Sequence, residues 1–213
     1  MASTPAESNK TWQQTKSELT RQTILDAALD CFYDMGYANT TTENISKRAG
    51  VSRGAMLHHF PTRFDLIKAA VEHLTEKRLE LFAAQEQEVN RDAEYTRVEE
   101  GIDAYWNQLN TPLFVVFHEL QVAARTDADL EKVRRPAVEQ YNARVYETAK
   151  TLFPDLALSE AFNRANLLTT YLMEGMAFAQ TISGDRVPAD KMLSWLKREL
   201  RRSFQDVLGR VKR

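Results

Sequence analysis

Between Gly36 and Leu66 the chain reads GYANTTTENISKRAGVSRGAMLHHFPTRFDL, and its punctuation leaves little choice of local structure. Thr40 followed three residues later by Glu43 predicts a capping box, in which each side chain satisfies the other residue's free backbone N–H and starts a short helix. Ile45 and Ala49 give that helix one small apolar stripe. Gly50 suits the left-handed conformation that stops a helix, Val51 can plug the corner, and Ser52 can cap a second helix at once. So short a link forces a sharp angle between the two, which is a helix-turn-helix.

The charge of this stretch differs from that of the whole. Between Thr40 and Phe64 lie Lys47, Arg48, Arg53 and Arg63 against Glu43 alone, whereas the 213-residue chain has a formal net charge of −2. A cationic patch on a slightly acidic body suits a polyanion approached in one orientation, because phosphate contacts supply affinity and register while a few side chains read bases. The second short helix, from about Ser52 to His59, is expected to enter the major groove. Arg53 is then the best base reader, by a bidentate pair with guanine, and Ala55 and Met56 offer apolar contact to a thymine methyl. Gly54 lets backbone approach DNA closely. Thr40, Thr41 and Thr42, with Lys47, His59 and Arg63, are better assigned to phosphates.

At these residues the sequence resembles the TetR family of one-component transcriptional regulators. The family's pattern is met by Gly36, Tyr37, Thr40, Thr41, Ile45, Ser46, Ala49, Gly50, Val51, Ser52, Gly54, Met56, His59, Phe60, Arg63 and Leu66. Leu57 departs from it, standing where the family usually has a tyrosine that touches the DNA backbone, so that His58 or His59 would cover part of that role. The resemblance is strong from about residue 19 to 75 and only architectural beyond. It implies a homodimer, usually a repressor, that binds a roughly palindromic operator and leaves it when a small molecule occupies the C-terminal domain.

Composition sets the class. Seven glycines and six prolines leave room for long helices, β-branched alternation is scarce, and the expected fold is all-α: a three-helix N-terminal helix-turn-helix domain and a C-terminal helical domain for effector binding and dimerisation. The expected division is a flexible arm over 1–17, with Lys10 and Lys16 in reach of DNA or without a role, the DNA-binding domain over 18–64, a connecting helix over 65–88, and the second domain over 89–213. No apolar run approaches a membrane span, and the polar start lacks the basic-then-apolar pattern of a secretory signal, so a cytoplasmic protein with no membrane partner is expected. Cys31, the single cysteine, sits beside Phe32 in a helical pattern and reads as core.

The first helix is expected from about Leu19 to Met35, with Gly36 ending it, and a long helix opens at Pro61 and Thr62 and runs toward residue 88. Shared by both domains, that helix is the expected transmitter of a switch. Thr111 and Pro112 suit the cap and first position of a helix apolar on nearly all sides. Pro136 should kink or interrupt the next. Trp106, Phe114, Phe117, His118, Glu119, Tyr141 and Tyr171 are the candidates for an effector cavity, with His118 and Glu119 set apart as polar groups in an apolar run. The stripes Leu168, Leu172, Gly175, Ala179 and Leu196, Leu200, Phe204, Val207 either pack within their own subunit or form a four-helix dimer seam, which the family resemblance favours.

No catalytic or metal constellation emerges. Adjacent helical residues point about 100° apart, so His58 and His59 do not readily ligate one ion together. His118-Glu119 begins a zinc-protease motif that fails at Val122. No cofactor is expected. The alternatives to a ligand-released repressor are a ligand-independent regulator or activator, a small helical enzyme, and a dimeric ligand-binding module without DNA function.

Overall fold

The computed structural model describes residues 12–88, 94–152, 159–184 and 188–211, which form nine helices and no strand. In order these are α1 (Trp12–Met35), α2 (Thr42–Arg48), α3 (Arg53–His59), α4 (Arg63–Glu88), α5 (Glu94–Leu109), α6 (Pro112–Ala123), α7 (Ala128–Leu152), α8 (Glu160–Ser183) and α9 (Ala189–Val211). The all-α expectation holds, with a helix-turn-helix head followed by a helical domain. The arm expected over 1–17 does not extend that far: α1 already begins at Trp12 and includes Lys16, while Lys10 lies outside the described residues.

The start of α2 is a correction. Its N-cap is Thr41, not Thr40, and its capping box closes with Asn44, not Glu43: Asn44 N–H donates to Thr41 Oγ1 at 3.1 Å and Thr41 N–H to Asn44 Oδ1 at 3.1 Å. Thr40 is 3% exposed, and its hydroxyl donates to Gly36 O. Three successive threonines offer three registers, and packing chose the one that buries Ile45. Gly50 does take a left-handed φ of +66°, and Ser52 caps α3 by accepting from Ala55 N–H at 3.1 Å. At the head of α4, Thr62 and Asp65 exchange the two bonds of a capping box.

Two apolar cores meet at α6. The first joins Ile24, Phe32, Ile45, Met56 and Leu66 of the head to Val116, Leu120 and Leu130 of α6 and α7; the second gathers Ile102, Phe114, Met173, Leu196 and Phe204 from α5, α6, α8 and α9. The head therefore has no core of its own separate from α6 and α7. Across α1 and α4, Asp26 Oδ1 pairs with His73 Nε2 at 2.8 Å and Lys77 Nζ at 3.1 Å. Burial raises the Asp26 pKa, but the hydrogen bonds from His73 and Lys77 outweigh it and hold the carboxyl below its usual range. Helix α7 runs through Pro136 without interruption, so the proline removes one backbone donor but does not end the helix.

The α9 stripe is a second correction. Leu196, Leu200 and Phe204 are 1%, 6% and 3% exposed in the protomer itself and belong to the second core, so they are unavailable to a partner. The side chain of Val207 lies outside the described residues. On α8, Leu172 packs against the same core, whereas Leu168 and Gly175 are exposed and Ala179 half-buried. The exposed apolar face of α8 includes Leu168, Tyr171, Phe178 and Ile182, with Trp195 exposed on α9. A repeat of three and four names a face but not the direction it turns.

Candidate functional site

Helix α3 is held from beneath and left open above. Met56 is 2% exposed and sits in the core beside Phe60, so its expected contact with a base is corrected: it anchors the helix. Arg53, Gly54, Leu57 and His58 are exposed, with Ala55 and His59 half-buried. Around them Thr41, Thr42, Ser52, Lys47 and Arg63 are exposed, while the buried Thr40 is withdrawn from the phosphate-facing set. Ser52 and Thr41 spend their hydroxyls as caps. Arg48 is drawn away from the patch by Asp34, at 2.5 Å. The His59 pKa is lowered, first by burial and then by the neighbouring His58 and Arg21 charges, so its imidazole favours the neutral form. A Cβ at Gly54 would meet only Ser52 Oγ at 3.9 Å, so nothing within the protomer demands a glycine there.

A second cluster joins this head to the other domain; the sequence had singled out its members Glu119, for an effector cavity, and Arg63, for a phosphate, but not their meeting at Tyr37. Gly36 takes φ +76° at the end of α1, which aims the next backbone N–H at α6: Tyr37 N–H donates to Glu119 Oε1 at 2.7 Å. The Tyr37 hydroxyl donates to Asp127 Oδ2 at 2.8 Å and accepts from Arg63 Nη1 at 3.4 Å, with Arg63 over the Tyr37 ring at 5.1 Å. Asp127 also caps α7 through Leu130 N–H; that backbone bond first, then the Tyr37 hydroxyl, depress its pKa. Glu119 is thus a clasp on the head and not part of an effector cavity, as its place in the apolar run had suggested. Tyr171, 70% exposed, faces outward and is likewise corrected.

Of the remaining effector candidates, Phe114, Phe117, His118 and Tyr141 lie near one another, and Trp106 does not join them. His118 packs against Phe114, Phe117 and Phe178 at ring separations of 4.3, 5.4 and 5.8 Å, and its buried Nε2 has no hydrogen-bond partner among the described residues. Burial lowers its pKa, and Arg78 adds to this against the opposing effect of Glu174. Tyr141 is buried, and Trp106 packs against the second core. The centre of the arrangement is Arg78 of α4, absent from the sequence candidates, whose guanidinium lies 3.8 Å from the Phe117 ring centroid and 4.0 Å from that of Tyr141. Its spacing carried the signal: Val71, Leu74, Arg78 and Leu81 recur at three and four residues on the inner face of α4. Two small cavities, each enclosing room for little more than a water molecule, flank it: one lined by Leu81, Tyr105, Gln108, Leu109, Thr111 and Phe114, the other by Val71, Leu74, Phe117, Leu120 and Arg134 among others. Glu174 accepts the Tyr105 hydroxyl at 2.9 Å. Burial first, and then Glu174, push the Tyr105 pKa well up, so it remains a neutral donor.

Residues 24–70 match the family described as bacterial regulatory proteins, tetR family. An uncharacterised HTH-type transcriptional regulator of Mycobacterium tuberculosis, Rv2912c, is 32% identical over 177 residues, 80% of this chain and 87% of that one. The HTH-type transcriptional regulator TtgR of Pseudomonas putida is 34% identical over 116 residues, 54% of this chain and 50% of its own length. Among solved structures, a transcriptional regulator from Rhodococcus sp. Rha1 superposes with a TM-score of 0.62 at 23% identity, covering 89% of this chain and 96% of that one. A multidrug binding protein, EbrR, complexed with imidazole, gives 0.59 at 20%, covering 86% and 93%; identities this low speak for the fold alone. With the helix-turn-helix built as described and a relative of this identity covered over most of its length, the chain belongs to the TetR family: it is a DNA-binding transcriptional regulator and not an enzyme.

Proposed function

We propose that this regulator is a homodimeric repressor that grips a palindromic operator through two copies of α3 and releases it when a small molecule enters the chamber around Arg78. The observation that carries the reading is the continuity from chamber to head: Phe117 and Glu119 lie two residues apart on α6, one against Arg78 and the other on Tyr37 of the head. An occupant that shifts α4 or α6 shifts the angle of α3, and release follows if it binds the released conformation better. Arg53 is the base reader, and Ala55 is the residue left to meet a thymine methyl now that Met56 is in the core. Lys47, Arg63, Thr42 and the exposed His58 are assigned to phosphates, with His59 beside them, while Thr41, its donors spent on Asn44, holds the helix start.

The exposed face of α8, with Leu168, Tyr171, Phe178 and Ile182 about the small Gly175, and with Trp195 of α9, supports pairing with a second copy. In such a pair the two α3 helices should stand about 34–36 Å apart to meet successive major grooves. EbrR, which shares the fold, is known in complexes with imidazole, malachite green and proflavin, which supports a ligand chamber here. The test is fluorescence anisotropy with duplexes drawn from around the chain's own coding region, at rising salt and with competitor DNA. Specific binding by a dimer, reversed by a small molecule, is expected; indifference to every duplex at low salt refutes the reading.

A further inference from the structure

Both cavities of the chamber share one wall, and that wall is Arg78. Neither cavity has a carboxylate among its described lining residues; the charged groups are Arg78 and, in the second cavity, Arg134. Arg134 is already occupied by Glu131 at 2.6 Å and by Gln121. Arg78 has no ion pair among the described residues; it stacks on the faces of Phe117 and Tyr141 and hydrogen-bonds the Tyr141 side chain, while the Glu174 carboxylate acts on the same cluster from a distance. Stacked rings cover the two faces of a guanidinium but leave its N–H donors in the plane, where a planar carboxylate fits with two parallel bonds. Elsewhere the walls are apolar, with Leu81, Leu109 and Phe114 on one side and Val71, Leu74 and Leu120 on the other.

We propose, on the reading that this chain releases DNA when an effector binds, that the effector is a small amphipathic carboxylic acid whose carboxylate is gripped by Arg78. Glu174 does not line either cavity and is occupied by the Tyr105 hydroxyl, so it orients that tyrosine and acts as a mild repulsive charge behind the site. The two cavities are water-sized as they stand, so the acid's tail requires the carboxylate to draw Arg78 out of its stack and open them into one slot. The same movement deprives Phe117 of its stacked cation, two residues from the clasp of Glu119 on Tyr37. Arg78 is thereby both anchor and trigger, since it stands on the helix that begins in the head.

The test uses the full-length chain and three matched probes on each of two tails: octanoate and 3-phenylpropanoate, their primary amides and their primary amines, with proflavin as a planar cation. Calorimetry is expected to show the acids binding at least tenfold more tightly than amides or amines. Arg78→Gln should weaken the acids at least tenfold and leave the amides within threefold. Glu174→Gln should tighten the acids severalfold, a gain that damage to the fold does not produce. Amines or proflavin as the tightest probes, acid binding unaffected by Arg78→Gln, or no binding by any probe each overturns the proposal. Release of bound DNA by an amide or by proflavin would leave the effector reading standing and sink the acid, whereas acid binding at Arg78 without release of DNA would keep the site and sink the effector reading.

Discussion

The joint between head and body rests on Gly36, and its replacement by alanine tests the account of that joint. At φ +76° a side chain is strained by about 1–2 kcal/mol. The new Cβ would stand 2.9 Å from Glu119 Oε1, the atom that accepts Tyr37 N–H at 2.7 Å. The carboxylate can swing aside only by giving up that bond, and an unpaired donor beneath a residue only 6% exposed costs about 1–3 kcal/mol. Gly36→Ala should therefore cost about 2–5 kcal/mol in all, and Glu119→Ala about 1–3 kcal/mol, since it loses the same bond without the strain. In the double variant the bond is lost once and the Cβ finds space, so the two effects should fall short of their sum by about 1–3 kcal/mol. Urea unfolding of the four proteins, at one protein concentration because a dimer's stability depends on it, measures this cycle. Additivity within about 0.5 kcal/mol would refute the claim that Glu119 holds the backbone of Tyr37.

Gly54→Ala should stabilise the protein, by about 0.5–1 kcal/mol, because the glycine is helical and its Cβ position is open, yet weaken operator binding if DNA backbone passes there; a lower melting temperature, or unchanged affinity, contradicts this. Arg53→Ala should lose about 1–3 kcal/mol on the cognate site and relax preference at one base pair, while Lys47→Ala should weaken all duplexes alike and lower the salt slope by about one; anisotropy titrations on matched and mismatched duplexes separate the two. Leu168→Glu, on the exposed face of α8, should give a monomer in sedimentation with its helicity intact, and an unchanged dimer would move the seam elsewhere. Asp26 has a lowered folded pKa, so its contribution is present above the ordinary carboxylate range and disappears as pH falls through that lower value; unfolding curves should show Asp26→Asn losing less stability than the parent on this acid side.

The head was legible because its signals are local. Gly50, Ser52 and the stop at Gly36 act through backbone conformation and a hydrogen bond three residues away, and no distant part of the chain is needed to read them. Where local signals were degenerate, as among Thr40, Thr41 and Thr42, the burial of Ile45 decided, and Thr40 and Met56 passed from surface to interior. The cluster around Arg78 was half legible: Phe114, Phe117, His118 and Tyr141 stood out along single helices, whereas Arg78 needed the inner face of α4 to be recognised as inner.

Sequence by itself determined the helical class, the helix-turn-helix and with it the kind of partner, since caps and turn residues are written within a few positions of one another. Tertiary structure alone decided that Glu119 serves the head, that the α9 stripe faces inward and that α8 presents the free apolar face. Those outcomes depend on which of several equally apolar surfaces meet. Burial is non-directional: periodicity along one helix reports that a face will be covered, and only the arrangement of all the others settles by what.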